Sequence, residues 1–101
     1  MEGAGTPSSR ETVVFQLFVA GDESHSRSAM DNLKAICEVY LPECHEIEVV
    51  DVLECSDLAL EKKIFVTPAL LKLSPAPGAT IYGTLSEKEK VVEALGLQRE
   101  G

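Results

Sequence analysis

The side chains with the most recognisable chemistry are three cysteines, Cys37, Cys44 and Cys55. Dithiol exchange needs a cysteine with a lowered pKa, typically in a C-x-x-C pair at the start of a helix. No two of these cysteines have that spacing, and their number is odd. We therefore expect reduced thiols, as in a cytoplasmic protein.

A metal site is the next chemistry to consider. Cys44 and His45, together with Cys55 or His25, could in principle supply the sulfur and nitrogen ligands of one metal site. Their spacing fits no zinc pattern, and adjacent residues seldom bind one ion together. We predict no metal site.

A hydrolytic site is suggested by Asp22, Ser24 and His25, which lie close together in sequence. Such residues also gather at helix starts because their side chains cap backbone N–H groups, and no G-x-S-x-G surrounds the serine. Neither G-x-x-x-x-G-K-[ST] nor G-x-G-x-x-G occurs, so no nucleotide site is recognisable. We predict no catalytic residue and no cofactor.

The charge balance narrows the kind of partner. With a formal net charge of -8 in 101 residues, the surface repels nucleic-acid phosphates and anionic lipid headgroups. A basic patch on another protein suits it better. No apolar run approaches the roughly 20 residues of a membrane span. We place one domain at 12–97, between a flexible tail at 1–11 and a short tail at 98–101.

The first half of the chain predicts a strand, a helix and a second strand. Residues 12–20 are apolar and rich in β-branched and aromatic types, as in a strand buried on both faces. Residues 24–40 have apolar positions at helical spacing, with Ser24 or Ser26 as the candidate cap. Residues 46–53 begin with glutamates alternating with aliphatic residues, which is typical of an edge strand.

The second half predicts a short helix, two strands and a final helix. Residues 56–63 contain helix formers, and the prolines between 74 and 78 join strands at 69–73 and 80–83 as an antiparallel hairpin. Ser86 and Glu89 form a capping box, and Gly96 stands where a left-handed residue ends a helix. The predicted fold class is α/β, with the order β-α-β-α-β-β-α.

This order, with Thr67 and Pro68 just before the third strand, resembles the thioredoxin-like fold. The resemblance implies a cis Pro68, where the alternative is a trans proline that merely starts a strand. The turn before the first helix, residues 21–27, has no cysteine, which argues against dithiol chemistry. We therefore expect the working surface at the opposite edge of the sheet, where the second strand can accept a partner strand. The charged helix beside it is equally consistent with a plain solvated face.

A set of short motifs in fixed order resembles the KaiB family. It covers about residues 12–97, and the order of the pieces carries the resemblance because no single piece is specific. The pieces are residues 17–21, Ser26 with Ala29, 49–53, 63–64, 67–70, Lys72, Pro75 with Pro77, Ile81, Gly83 with Leu85 and Ser86, and 89–91.

The resemblance implies a non-enzymatic circadian-clock protein that binds the ATPase KaiC, captures KaiA and competes with the sensor kinase SasA. It also implies a metamorphic protein, which exchanges a tetrameric ground fold for a thioredoxin-like fold by refolding the second half of the chain. The binding surface of the family corresponds to about residues 49–63. The implied partner-binding residues are Glu48, Val49, Val50, Asp51, Leu53, Asp57, Leu58, Lys62 and Lys63.

Two departures from the family pattern bear on which fold this chain prefers. Ala94 and Gly96 stand where family members commonly have a glycine and an aspartate. Alanine is worth about 1 kcal/mol over glycine inside a helix, and Gly96 can end that helix. With Pro68, these residues are the predicted determinants of the fold state. We expect the thioredoxin-like, fold-switched state and a monomer or weak oligomer; the alternative is the ground-state tetramer.

Other departures, at Ala79, Thr80 and Thr84, stand where the family commonly has two arginines and an aspartate. The SasA sensor domain, also thioredoxin-like, has similar Thr-Pro and Pro-x-Pro segments. We predict a KaiB homologue that binds a KaiC-like ATPase and modulates its phosphorylation or timing output, in an oscillator, an hourglass timer or a stress response. KaiA or a SasA-type histidine kinase are further candidate partners. The alternatives are a redox protein using Cys44 or Cys55, and a kinase-sensing module in a stress response.

Overall fold

Seven elements follow one another in the predicted order within residues 12–97, which the computed structural model describes. They are β1 (Val13–Val19), α1 (Ser24–Tyr40), β2 (His45–Asp51), α2 (Ser56–Glu61), β3 (Ala69–Ser74), β4 (Ala79–Tyr82) and α3 (Lys88–Leu95). The tails expected at 1–11 and 98–101 lie outside the described residues. In the described part, no helix combines the length and apolar character needed to cross a bilayer.

The strands form one sheet in the order β2-β1-β3-β4. β1 pairs in parallel with β2 and antiparallel with β3, and β4 pairs antiparallel with β3. The apolar β1 therefore lies in the interior of the sheet, and the glutamate-bearing β2 lies at an edge, as the two patterns predict. The hairpin predicted around the prolines is also confirmed.

Side chains of β1 alternate between two separate cores, because successive residues of a strand point to opposite faces. Phe15 and Leu17 pack with Leu33 of α1 and Leu95 of α3. Phe18 instead packs with residues of α2 and its following loop. We call these the α1/α3 face and the α2 face.

The start of α1 differs in detail from the prediction. Neither Ser24 nor Ser26 is the cap; the cap is Glu23, whose extended backbone precedes the helix and whose side chain accepts a hydrogen bond from the Ser26 N–H. A glutamate can replace the shorter capping residues here because its longer side chain folds back onto the first turn.

The start of α3 corrects a second expectation. The capping box of Ser86 and Glu89 does not form, because the helix begins at Lys88 and its cap residue, Glu87, makes no side-chain cap hydrogen bond. Leu85 is buried with a φ of 64°. Because its side chain is fixed in the core, the chain passes Ser86 before helical geometry begins. The predicted end is confirmed, since Gly96 is left-handed at φ 71°.

The peptide bond between Thr67 and Pro68 is cis, as the resemblance implies, and the Ser74–Pro75 and Ala76–Pro77 bonds are cis as well. β2 ends two residues before the predicted limit. The Asp51 carboxylate accepts a hydrogen bond from the Leu53 N–H at 2.9 Å, which turns the chain out of the sheet.

Candidate partner-binding surface

The turn between β1 and α1 is closed by hydrogen bonds among its own groups. Glu23 Oε1 accepts from the Ser26 N–H at 3.2 Å and from the Ser26 hydroxyl at 3.4 Å. Ser26 Oγ in turn accepts from the Ala20 N–H at 3.1 Å, and Ser26 is buried. Backbone N–H groups at this turn are thus hydrogen-bonded to a carboxylate and a hydroxyl. Residues 21–27 contain no thiol for redox chemistry.

Of the three residues of the candidate hydrolytic site, His25 interacts with the capping residue of α1. His25 Nδ1 lies 2.8 Å from Glu23 Oε2, so its ring partner is the capping carboxylate. Desolvation raises the pKa of Glu23, but its hydrogen bonds with His25 and Ser26 outweigh this and hold that pKa below its ordinary value. The exposed His25 and Glu23 therefore form a local pair at the surface.

The three cysteines occupy three different settings. Cys37 is fully buried on α1, and burial raises the pKa of its thiol to about 12. Cys44 is half-buried before β2, and Cys55 is exposed at the start of α2, where it makes no side-chain cap hydrogen bond. Within residues 12–97, no three His, Cys, Asp or Glu side chains are grouped so that they could hold a metal ion.

The end of β2 is tied to the turn before α1 by one side chain. Asp51 Oδ1 accepts hydrogen bonds from the Gly21 N–H at 3.0 Å and from the Leu53 N–H at 2.9 Å. Gly21 is left-handed at φ 59°, and a Cβ there would lie 3.1 Å from the Leu53 Cδ1. The two loops are therefore in direct contact at one end of the sheet.

The turn before α1 and the end of β2 are therefore neighbours and do not lie at opposite edges of the sheet. An open groove of about 250 Å³ joins the two, with Gly21 and Asp22 of the turn, Arg27 and Met30 of α1 and Val49 of β2 in its wall. The turn and the outer end of β2 thus form one continuous surface.

The partner-binding residues that the family resemblance implies are mostly accessible. Those exposed to solvent are Glu48, Val49, Leu53, Asp57, Lys62 and Lys63. Val50 is only 4% exposed and packs in the core of the α2 face, so in this fold it lies beneath the surface and is not accessible to a partner. Leu58 is partly buried against the same core, and Asp51 is half-buried and engaged with Gly21 and Leu53.

Three further apolar side chains extend this surface and were not predicted from the sequence. Leu60 on α2 is 63% exposed, and Phe65 and Val66 are 76% and 59% exposed in the loop that leads to β3. Large exposed apolar side chains close together in a chain mark interaction sites. The run of apolar residues at 64–66 was the available signal, but it equally suits a buried loop. We call the exposed part of residues 49–66 the α2 surface.

Lys63 holds an unusual backbone conformation within the α2 surface. Its φ is 61°, a left-handed region that favours glycine, and its side chain is exposed. The Ile64 N–H that follows donates to the Ala59 carbonyl at 2.8 Å, which ends α2 and buries Ile64. A lysine thus occupies a position whose backbone conformation would suit glycine better.

Comparison with known proteins gives a family and close relatives. The KaiB domain model matches residues 16–97. The circadian clock oscillator protein KaiB of Synechococcus elongatus is 42% identical over 90 residues, which cover 89% of this chain and 88% of that protein. The circadian clock protein KaiB3 of Synechocystis is 38% identical over 89 residues, covering 88% of this chain and 87% of that protein.

Solved structures with the same fold include the N-terminal domain of SasA and thioredoxins. The N-terminal domain of Synechococcus elongatus SasA superposes with a TM-score of 0.71 at 23% identity, covering 96% of this chain and 94% of that domain. Mitochondrial thioredoxin 3 of Saccharomyces cerevisiae gives a TM-score of 0.65 at 18% identity, covering 82% and 78%. The predicted thioredoxin-like fold is therefore confirmed.

Proposed function

The chain belongs to the KaiB family, and on that premise we propose that it is a non-enzymatic clock-type protein. It binds a KaiC-like ATPase in the cytoplasm through the α2 surface and modulates the phosphorylation or timing output of that ATPase. KaiA or a SasA-type histidine kinase would compete for, or join, the same complex. The observation that carries this proposal is the exposure of Leu53, Phe65 and Val66 beside the strained Lys63.

The physical basis is a set of exposed apolar side chains in a segment that also carries exposed charges. Phe65 offers the aromatic anchor that binding hot spots favour, and Leu53 and Val66 offer further exposed aliphatic area. Lys62 and Lys63 are cations in a chain whose net charge is -8, so they select a partner patch that carries carboxylates at that point. The proposal involves no thiol exchange at the turn before α1, since that turn contains no cysteine.

The decisive experiment replaces Lys63 by glycine. Glycine adopts the left-handed backbone without strain, so Lys63→Gly should raise the free energy of unfolding by about 0.5 to 1 kcal/mol. It should also weaken binding to the purified KaiC-like ATPase by about fivefold or more, because the contact charge is lost. If Lys63→Gly is more stable than the unaltered chain but binds the ATPase less tightly, the Lys63 side chain serves recognition of the ATPase.

Three further variants make the binding test specific. Lys63→Gln removes the charge and keeps a side chain, whereas Lys34→Gln removes one exposed charge on α1. Phe65→Ser should weaken binding by about tenfold or more. If the ATPase binds all four variants as tightly as the unaltered chain, the α2 surface is not its docking site.

The redox alternative is tested separately with a chain in which all three cysteines are replaced. Full binding of the ATPase by that chain removes any role for Cys44 or Cys55. Loss of binding, with the fold retained in its NMR spectrum, would favour the redox alternative over the proposal.

The fold state is part of the same proposal. We expect the chain to remain mainly thioredoxin-like and monomeric or weakly associated, with Ala94 within α3 and Gly96 ending it. Ala94→Gly combined with Gly96→Asp should lower the helical signal of residues 88–95 in backbone chemical shifts and raise the share of tetramer in sedimentation. An unaltered chain that sediments as a ground-fold tetramer would contradict this expectation.

A further inference from the structure

The two edges of the sheet differ in how they are protected against pairing with another strand. In the sheet formed within residues 12–97, β2 lies at one edge and β4 at the other. β2 carries Glu46, Glu48 and Asp51, and charged side chains discourage the addition of a strand to an edge. β4, in contrast, contains neither a charged residue nor a proline. β4 is therefore the less protected edge.

The hydrogen-bond pattern of the hairpin identifies which backbone groups of β4 face outward. The Gly83 N–H donates to the Pro68 carbonyl at 3.0 Å, so Gly83 directs its backbone groups toward β3. Hydrogen-bonded and non-hydrogen-bonded positions alternate along an antiparallel pair, so Ile81 does the same two residues earlier. The N–H and C=O groups of Thr80 and Tyr82 therefore point away from β3.

These outward backbone groups are accessible. Thr80 and Tyr82 are both exposed, Tyr82 to 54%. Among the backbone hydrogen bonds formed within residues 12–97, none uses the outward groups of either residue. A row of unpaired N–H and C=O groups at a sheet edge is a template for another strand.

A groove of about 570 Å³ lies beside this edge and has β4 and α3 in its walls. The buried Leu85 and Val91 line it together with the half-buried Ile81, which packs on the α1/α3 face. The Thr84 carbonyl accepts a hydrogen bond from Asn32 Nδ2 at 2.8 Å, which ties the segment after β4 to α1. The fold thus forms a groove with apolar lining next to the outward backbone groups.

We propose that the outer edge of β4 binds an extended segment of a partner protein, which adds a strand to the sheet. The N–H and C=O groups of Thr80 and Tyr82 form hydrogen bonds with that segment. One large aliphatic side chain of the segment lies opposite Ile81. Because directly opposite side chains of paired strands share a face, this side chain enters the groove beside α3.

The occupant is a strand because a helix has already used its own backbone N–H and C=O groups. Residues 98–101 are Gln, Arg, Glu and Gly, which offer no aliphatic side chain for the groove. A second copy of this chain is a poor occupant, since each copy carries a net charge of -8. For the same reason the partner segment is neutral or basic.

This edge is separate from the surface of the proposed function. β4 lies outside residues 49–66 and at the opposite edge from β2. The inference therefore goes beyond the proposed function, and either can fail without the other.

The test uses the full chain and a fluorescently labelled, end-capped peptide, Lys-Thr-Val-Leu-Val-Thr-Lys. Its sequence reads the same in both directions and so suits either strand orientation. One control peptide has methyl groups on the backbone nitrogens of its valines and leucine, which removes the N–H donors and keeps every side chain. By fluorescence anisotropy this control should bind at least about tenfold more weakly. A second control, with alanine for leucine, should bind about fivefold more weakly because it leaves the groove unfilled.

Hydrogen–deuterium exchange followed by NMR locates the binding. In the free chain the Thr80 and Tyr82 amides should exchange fast, whereas the Ile81 amide should exchange slowly because it faces β3. Saturation with the parent peptide should slow Thr80 and Tyr82 by at least about tenfold and leave Ile81 unchanged.

A matched pair of variants tests the same edge from the side of the chain. Thr80→Pro removes an outward N–H but no hydrogen bond to β3, and proline is tolerated in edge strands. It should weaken peptide binding at least about tenfold, whereas Thr80→Ser, which keeps the N–H, should change it by less than about twofold. The methylated peptide removes the equivalent hydrogen bonds without altering the chain.

Three results would overturn the proposal. Equal binding of the parent and methylated peptides would mean that no strand is added. Slow exchange of Thr80 and Tyr82 in the free, dilute chain would mean that residues outside 12–97 already cover the edge. Slow exchange that develops only as the chain is concentrated, without peptide, would assign the edge to a second copy.

Discussion

The two faces of the sheet differ in how much they bury. Within residues 12–97, the core of the α1/α3 face contains twelve buried residues and that of the α2 face contains five. The covering helices differ in proportion, with 17 and 8 residues in α1 and α3 against 6 in α2. The difference teaches that burial is divided unequally: one face holds most of the buried core, and the other leaves large apolar side chains of residues 53–66 exposed.

The largest effect that tests this division comes from truncating the two cores. Leu33→Ala, at the centre of the larger core, should lower the free energy of unfolding by about 4 kcal/mol, and Ile64→Ala, in the smaller core, by about 2 kcal/mol. The reason is that the shallower site can collapse around the missing atoms more easily. Urea unfolding followed by circular dichroism measures both.

The exposed Leu60→Ala is the matched control and should cost less than about 0.5 kcal/mol. Equal costs for Leu33→Ala and Ile64→Ala would break the comparison, because the two faces would then contribute alike.

A smaller effect should come from the left-handed glycines. Gly21→Ala should cost about 2 kcal/mol, since the alanine meets both backbone strain at φ 59° and the Leu53 methyl group at 3.1 Å. Gly96→Ala meets strain but no neighbour within 4 Å, and should cost about 1 kcal/mol. Thermal unfolding of the two variants measures the difference. Identical costs would mean that Leu53 does not pack on the turn.

The buried thiol of the larger core gives a pH-dependent prediction. Burial raises the pKa of Cys37 from 9.0 to about 12, so the unfolded chain loses this proton first as the pH rises. The corresponding stability is present below pH 9.0 and is lost toward pH 12. Between pH 9 and pH 10 the loss should be about 1 kcal/mol. Cys37→Ala should lack this loss in urea unfolding, while the exposed Cys55→Ala should retain it.

The smallest effect concerns the capping carboxylate on α1. Because the pKa of Glu23 is lowered in the folded chain, its contribution is present above its ordinary pKa and is lost as the pH falls through the folded value. Glu23→Gln should therefore flatten the acid side of the stability profile. His25→Ala, which removes one hydrogen-bond partner of the carboxylate, should flatten it partly. A profile unchanged by Glu23→Gln would mean that its hydrogen bonds contribute nothing in solution.

The sequence was sufficient for the larger core and for the order of elements. The unbroken apolar run of β1 and the helical spacing of Leu33, Ile36 and Cys37 specify which residues meet, because periodicity reports the buried side of an element directly. The end of α3 at Gly96 was equally readable, since few residues other than glycine accept its conformation.

The smaller face was harder to predict, because its exposure depends on what is missing above it. Phe65 and Val66 look like core residues in sequence, but they lie in the loop after α2 and are exposed there. The predicted helix caps were wrong for a related reason. Several polar residues near a helix start can act as the cap, and the burial of Leu85 sets where α3 begins. The contact between Gly21 and Asp51 spans 30 residues and follows from strand register, which no local pattern contains.

One carboxylate oxygen of Asp51 holds two amides that belong to different loops. Any partner that displaces Leu53 must therefore weaken or strengthen the hydrogen bond from the Gly21 N–H to Asp51 as well. The exchange of the Gly21 amide hydrogen with solvent then becomes a measure of occupancy at the α2 surface. It can be read by hydrogen–deuterium exchange in the unmodified chain, without a label on the surface where the partner sits.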